Sequence, residues 1–281
     1  MIRPSIVLCV AAGLVGGCGD LFGGFTPLLT APLVVNGEPV DPAIVDTGGG
    51  YELMLRERFG LDIVDTVEVL AFGGRELVGL TEGFPYEVGG VAATAEVALV
   101  GISACDCNGV GFFFFRKTGV TVEMDFSRQR VTFVTGPPTG GFALPFEPPP
   151  PWMQNFDSAF VTVEVTTDGA SREVLGLLDT GTNSTVMRRD LLGGGSRLFP
   201  NRLSVTIRHE ALGEVSARVT LFDTPGLPDL IIGVDVMRAW ADRWYFRFHP
   251  RGGIVTVFPQ EPPLEAGAVA ALRLVLPADN P

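Results

Sequence analysis

Short runs of apolar, β-branched residues recur along the chain, and most stop at a turn signal instead of continuing at helical spacing. Pro32-Leu33-Val34-Val35 leads into Asn36-Gly37, and the chain returns through Ala43-Ile44-Val45. The same order reappears later: Phe160 to Val165, then Asp168-Gly169, then Val174 to Leu178. An Asn-Gly or Asp-Gly pair between two such runs predicts a tight hairpin, because both turn positions need φ > 0. Further strand-rich stretches run over Val67 to Leu80, Ala92 to Val100, Val120 to Phe126 and Arg130 to Val134 in the first part of the chain. In the second they run over Leu203 to Ile207, Val215 to Phe222, Trp244 to Phe248 and Ile254 to Phe258. Tyr51 to Phe59 and Thr185 to Leu192 read as helix-like. The pattern as a whole predicts a mostly β fold.

The strands form two similar sets, so the chain contains an internal repeat. Each opening hairpin ends in Asp-Thr-Gly, at Asp46-Thr47-Gly48 and at Asp179-Thr180-Gly181. Each set later reaches a glycine among apolar residues that leads into a short apolar segment ending in Arg. These are Gly109-Val110-Gly111 through Phe112 to Arg116, and Leu230-Ile231-Ile232-Gly233 through Val234 to Arg238. The first reads as one residue short beside the second. Phe112 to Phe115, Trp240 and Trp244 read as core packing, and Asp235 as structural. Proline-rich sequence at 136–156 marks a linker, since Pro148 to Pro151 cannot join a central strand. The expected division is 1–17, 18–30, 31–135, 136–156, 157–260 and a tail at 261–281.

Composition narrows the chemistry. In 281 residues there are 36 Gly and 22 Pro, which suits short strands joined by turns. A hydrophobic content of 46% argues against disorder. The formal net charge of −12 argues against a nucleic-acid partner, since no surplus of cations is present to displace phosphate counterions. The two histidines, His209 and His249, are too few for a His-rich metal centre and sit in no Ser-His-Asp motif. No metal or organic cofactor is implied, and carboxylate chemistry is the place to look.

At the amino terminus, Arg3 precedes an apolar run from Ile6 to Val15 that is too short to span a bilayer. Val15-Gly16-Gly17-Cys18 then resembles the lipobox of bacterial lipoproteins. That resemblance implies removal of a signal peptide, 1–17, and lipidation of Cys18. The protein would then be tethered in the bacterial cell envelope, with outer membrane favoured because Gly19 follows the cysteine. Cys105 and Cys107 are expected to be partly buried thiols, because a bridge across one intervening residue is awkward.

With its hairpin and its downstream glycine segment, the repeated Asp-Thr-Gly resembles the aspartic proteases, in particular the retropepsin-like family. Each copy, about 105 residues, is close to one retropepsin-type subunit. The resemblance implies two pseudo-symmetric retropepsin-like β-barrel lobes in one monomeric chain, an intramolecular pseudo-dimer with an active-site cleft between the lobes. Asp46 and Asp179 would form the catalytic dyad acting on a peptide or protein substrate. Two carboxylates a few ångströms apart cannot both ionise cheaply, so they share one proton. One then activates water while the other polarises the carbonyl. By the same resemblance Thr47 and Thr180 would lock the two loops together, and Gly48 and Gly181 would bring backbone N–H groups to the carboxylates. A flap is expected in Ala71 to Pro85, with a second-copy counterpart at Arg208 to Val215. Thr182 stands where the first copy has Gly49, and its hydroxyl is expected to support ionised Asp179, leaving the proton on Asp46. Two other readings stay open: a module that grips extended peptide without cutting it, and halves that pair with another molecule.

Overall fold

The computed structural model describes residues 7–8, 28–71, 74–102, 107–153, 156, 158–167, 170–192, 202–249 and 252–259. The lipobox, Cys105, the Asp168-Gly169 turn and the tail at 261–281 lie outside the described residues. The fold is mostly β, built from a ten-stranded half-barrel sheet, a closed six-stranded barrel and a five-stranded sheet that draws strands from both halves. Among the described residues no helix is long and apolar enough to cross a membrane.

Two hairpins open the two halves, Thr30–Val35 with Glu38–Val45, and Phe160–Thr167 with Ala170–Leu178. Asn36 and Gly37 both have positive φ, 51° and 83°, so the first turn is of the kind the dipeptide predicts. A short strand lies parallel to the end of each hairpin. Asn108–Val110 pairs Ala43, Ile44 and Val45, and Leu230–Ile232 pairs Gly176, Leu177 and Leu178. On its other side each of these strands meets one antiparallel strand, Leu53–Leu55 in the first half and Val186–Arg188 in the second. The expected helices at 51–59 and 185–192 are therefore corrected to short strands, the second followed by a 3-10 turn at Arg189–Leu192. Leu53, Met54 and Leu55 are all buried, paired on both edges, so tertiary pairing overrides local helical preference.

Helices α1 (Phe112–Thr118) and α2 (Val234–Trp240) follow the paired strands directly. Phe112, Phe114 and Phe115 are fully buried and pack on Phe133, Phe156 and Phe248, as core residues should, whereas Phe113 is exposed and corrects the reading of the whole run as core. The register also corrects the apparent shortening of the first copy. Asn108 occupies the place of Leu230, and its side chain is satisfied by Asp41 O at 2.8 Å and Arg56 N at 3.1 Å. No residue is missing.

Beyond the helices the halves merge. Thr121–Asp125 pairs Ala241–His249 across the repeat, so strands of both copies share one sheet. Arg130–Val134 and Gly252–Pro259 flank this pair, and Phe142–Pro145 from the proline-rich segment adds an edge strand. The segment at 136–156 is thus more than a spacer. One hydrophobic core runs continuously through both halves, from Leu33 and Phe84 to Val163 and Trp244.

One hairpin, Ile63–Ala71 with Gly74–Thr81, has no second-half counterpart among the described residues. The strand that closes the second barrel, Arg202–His209, pairs Phe160–Thr167 just as Phe84–Val88 pairs Thr30–Val35. Hence the Arg202–His209 hairpin matches 84–95, not 63–81. Arg208 to Val215 is barrel wall rather than a second flap: Trp240 Nε1 donates to Gly213 O at 3.3 Å, tying it to α2. The Ile63–Ala71 hairpin sits over a smaller apolar cluster of Tyr51, Met54, Val67, Val69, Val78, Leu99 and Ile102. Its edge strand also pairs in parallel with Val7–Leu8.

Trp244 is fully buried in the shared sheet, opposite Met124 of the other half, with its indole N–H donating to Ala241 O. Trp244→Ala is expected to cost about 3–5 kcal/mol of stability in urea denaturation. A loss below about 1 kcal/mol would contradict a core shared by the two halves.

Candidate active site

The two acidic loops are positioned by the same local device. Asp46 N donates to Val110 O at 2.9 Å, and Asp179 N donates to Ile232 O at 3.0 Å. Three residues on, the N–H groups of Phe112 and Val234 return to the carbonyls of Gly49 and Thr182, at 3.0 and 2.9 Å. Each loop is therefore pinned at both ends to the strand and helix that follow it in its own half.

The threonines then join the loops to each other. Thr47 Oγ1 donates to Leu178 O at 2.8 Å and Thr180 Oγ1 donates to Val45 O at 2.6 Å. In return each hydroxyl accepts the opposite backbone N–H, Thr47 N to Thr180 Oγ1 at 3.0 Å and Thr180 N to Thr47 Oγ1 at 3.2 Å. Both threonines are fully buried. Ser158, which sequence reasoning missed, donates from Oγ to Thr47 O and ties the second half to the first loop again.

This interlock brings the carboxyls together. A Cβ on Gly48 would lie 2.4 Å from Cγ of Asp179, and one on Gly181 would lie 2.5 Å from Cγ of Asp46. Only glycine leaves room for the opposing carboxylate. The N–H groups of Gly48 and Gly181 donate to Oδ1 of Asp46 and Asp179, at 3.0 and 2.8 Å. Thus Asp46, Thr47, Gly48, Asp179, Thr180 and Gly181 are all brought to one place. Both carboxyls are sealed from solvent, with Asp46 1% and Asp179 0% exposed.

Their Oδ2 atoms differ. Tyr51 donates its phenol hydrogen to Asp46 Oδ2 at 2.7 Å, whereas Asp179 Oδ2 is buried with no hydrogen-bond partner. Burial raises the pKa of Asp46 to about 6 from 3.8, with Asp179, Tyr51 and the loop amides pulling it back. Burial and then the charge of Asp46 push Asp179 well above the usual carboxylate range. Tyr51 thus favours a charge on Asp46, and no such donor serves Asp179 Oδ2. Thr182 does not give Asp179 the hydrogen bond expected of it: its hydroxyl donates to Ser184 O at 3.0 Å and serves the turn instead.

Asp235 accepts from the Thr185 hydroxyl at 2.7 Å and from Val236 N at 2.8 Å, a helix-start role consistent with a structural reading. Cys107 is disulfide-bonded, which corrects the expectation of a free thiol. Cys18, the proposed lipid site, lies outside the described residues. No protein-family model matches the chain, and a search of curated proteins finds no match.

The buried pair has a stability signature. Folding raises the Asp46 pKa from 3.8 to about 6, so between those values the native chain keeps a proton that the unfolded chain has released. Stability from this group is complete below about pH 4 and is lost as pH rises through about 6, a change of about 3 kcal/mol. Asp179, raised further, extends the loss to higher pH. Urea midpoints of the wild type should therefore fall, between pH 4 and 8, relative to those of the Asp46→Asn/Asp179→Asn double variant. Parallel pH profiles would contradict a proton-sharing pair.

Proposed function

We propose that the chain is an aspartic endopeptidase whose lobes are retropepsin-like, with Asp46 and Asp179 as its dyad. The observation that carries this reading is the pair of Asp-Thr-Gly loops, threonines interlocked, that buries two carboxyls against each other's glycines. A protein without use for such a pair gains nothing from burying two repelling acids.

In the proposed reaction Asp46 starts ionised and Asp179 protonated. Asp46 takes a proton from water as the water oxygen bonds to the scissile carbonyl carbon. Asp179 gives its proton to the carbonyl oxygen, which yields a tetrahedral diol. The C–N bond then breaks: Asp46 returns its proton to the leaving nitrogen, and Asp179 recovers one from a diol hydroxyl. The products are an acid and an amine, and the dyad is back in its starting state. No step calls for a metal or an organic cofactor.

Substrate reaches the sealed carboxyls only when their cover moves. The single hairpin at Ile63–Ala71 and Gly74–Thr81 is the proposed flap. Leu70, near its tip, approaches Gly226 of the second half, within 3.1 Å of where a Cβ on that glycine would lie. Such a hairpin bridges the halves from one side and would part from the second half to admit peptide.

We place the protein in the bacterial cell envelope, anchored by lipid on Cys18 after loss of 1–17, as a monomer that uses its two halves as a pseudo-dimer. Removing 1–17 would also uncover the hairpin edge that Val7–Leu8 now occupies.

Asp46→Asn and Asp179→Asn are each expected to lower cleavage of an unbiased peptide library by about a thousandfold or more between acidic and neutral pH. Retained cleavage in both rejects the dyad. A wild type that binds peptides without turning them over identifies a peptide-gripping module instead. Radiolabelled palmitate is expected to enter the wild type and not Cys18→Ala; equal labelling of the two contradicts the anchor.

A further inference from the structure

The two halves depart from symmetry at one set of positions beside the dyad. Tyr51 and Ser184 occupy equivalent places, since the backbone of each crowds the glycine before the helix, Gly111 and Gly233. Around the larger residue the first half has lost volume. Gly49 stands where Thr182 does, and Gly109 where Ile231 does. A Cβ on Gly49 would lie 2.4 Å from the Tyr51 ring and 2.5 Å from Asp46 Oδ2, and one on Gly109 would lie 2.5 Å from the phenol oxygen. The slot fits one large side chain and aims its hydroxyl at a single carboxylate oxygen.

We propose that Tyr51 is a positioning residue that divides the roles of the dyad, holding Asp46 as the ionised base and leaving the proton on Asp179. This deepens the peptidase reading and rests on it for its catalytic meaning, although the proton assignment stands on geometry. Tyr51 is buried in the small cluster beneath the Ile63–Ala71 hairpin, packed with Met54, Val67 and Val69, so its ring is held in the slot. A phenol donates more readily to a carboxylate than to a carboxylic acid, and it stabilises the charged form. Thr182 cannot do the same for Asp179, because its hydroxyl is turned to Ser184 O.

Few other charges face the pair. Asp179 comes from the opposing loop. From the hairpin, Glu76 sits opposite Val69 on the face that packs toward Tyr51. Glu52, next in sequence, turns away to the Tyr86 hydroxyl and Lys117 Nζ. No cation shares the slot among the hydrogen bonds and ion pairs of the described residues that reach Asp46. The phenol is therefore the side-chain donor on its Oδ2.

The test labels aspartate side-chain carboxyls with 13C and follows the Asp46 and Asp179 signals with pH in the full chain, assigned by single Asn variants. In Tyr51→Phe the Asp46 midpoint should rise by about one to two pH units, the loss of one hydrogen bond to a charged acceptor. Replacing Tyr51 by 3-fluorotyrosine, whose hydroxyl is a stronger donor in almost the same volume, should lower it. If peptide cleavage is present, the acid limb of its pH profile should move in the same directions, with kcat falling more than KM rises in Tyr51→Phe. An Asp46 midpoint unmoved in both variants overturns the proposal. Moved midpoints in a protein that cleaves nothing keep the proton assignment and sink the peptidase reading, so the two failures are distinguishable. Should Tyr51→Phe not fold, the fluorotyrosine protein alone decides, since a midpoint unchanged or raised there overturns the proposal.

Discussion

Everything at the centre of this molecule depends on two threonine hydroxyls that each cross the boundary between the halves. The hydroxyls of Thr47 and Thr180 make four hydrogen bonds to the backbone of the opposite loop, donating to Leu178 O and Val45 O and accepting from Thr180 N and Thr47 N, each spanning more than a hundred residues of sequence. Each is worth only about 0.5–1.5 kcal/mol net. Against them stands the burial of two carboxyls, which for Asp46 alone costs about 3 kcal/mol at neutral pH. Four such bonds come to about 2–6 kcal/mol, comparable to the cost of Asp46 alone, so burying Asp179 as well calls for further support. That role falls to the framework: the paired strands at Asn108–Val110 and Leu230–Ile232, and the core shared through Trp244 and Met124. Two buried acids are thus held together by an ordinary apolar core.

Symmetry accounts for the pair, and its local failure accounts for the difference between its members. Two equivalent acids give no reason for either to act as base. A volume exchange breaks the equivalence: Tyr for Ser at one position is balanced by Gly for Thr and Gly for Ile at two others. The exchange leaves Asp46 with a donor on its Oδ2 and Asp179 with none. A second asymmetry lies above it, where among the described residues one half alone carries the extra hairpin over the same apolar cluster that holds Tyr51.

Much of this was legible along the chain. The hairpins, both Asp-Thr-Gly loops and the short apolar segments after Gly111 and Gly233 follow local rules of alternation, turn chemistry and spacing, and these the linear pattern carries. What it did not carry is pairing. Leu53–Leu55 and Val186–Arg188 look helical because only their partners on both edges make them strands. The Ile63–Ala71 hairpin and the Arg202–His209 strand look equivalent in their alternation, and register alone shows that they are not. Proximity in sequence points Thr182 at Asp179, whereas its hydroxyl turns to Ser184 O, and Tyr51 lies in a stretch whose local pattern looks helical. A signal for Tyr51 existed in the glycines at 49 and 109, which departed from the second copy without any reason visible in one half alone.

The central claim is that the two acidic loop tips meet face to face and share one proton. It is tested most directly by a crystal structure of the chain at atomic resolution, reading the gap between the carboxyl oxygens of Asp46 and Asp179. The account predicts a closest separation of about 3 Å, with unequal C–O bonds in Asp179 and nearly equal ones in Asp46. A gap beyond about 6 Å in the folded monomer, or equal C–O bonds in both residues, would contradict it.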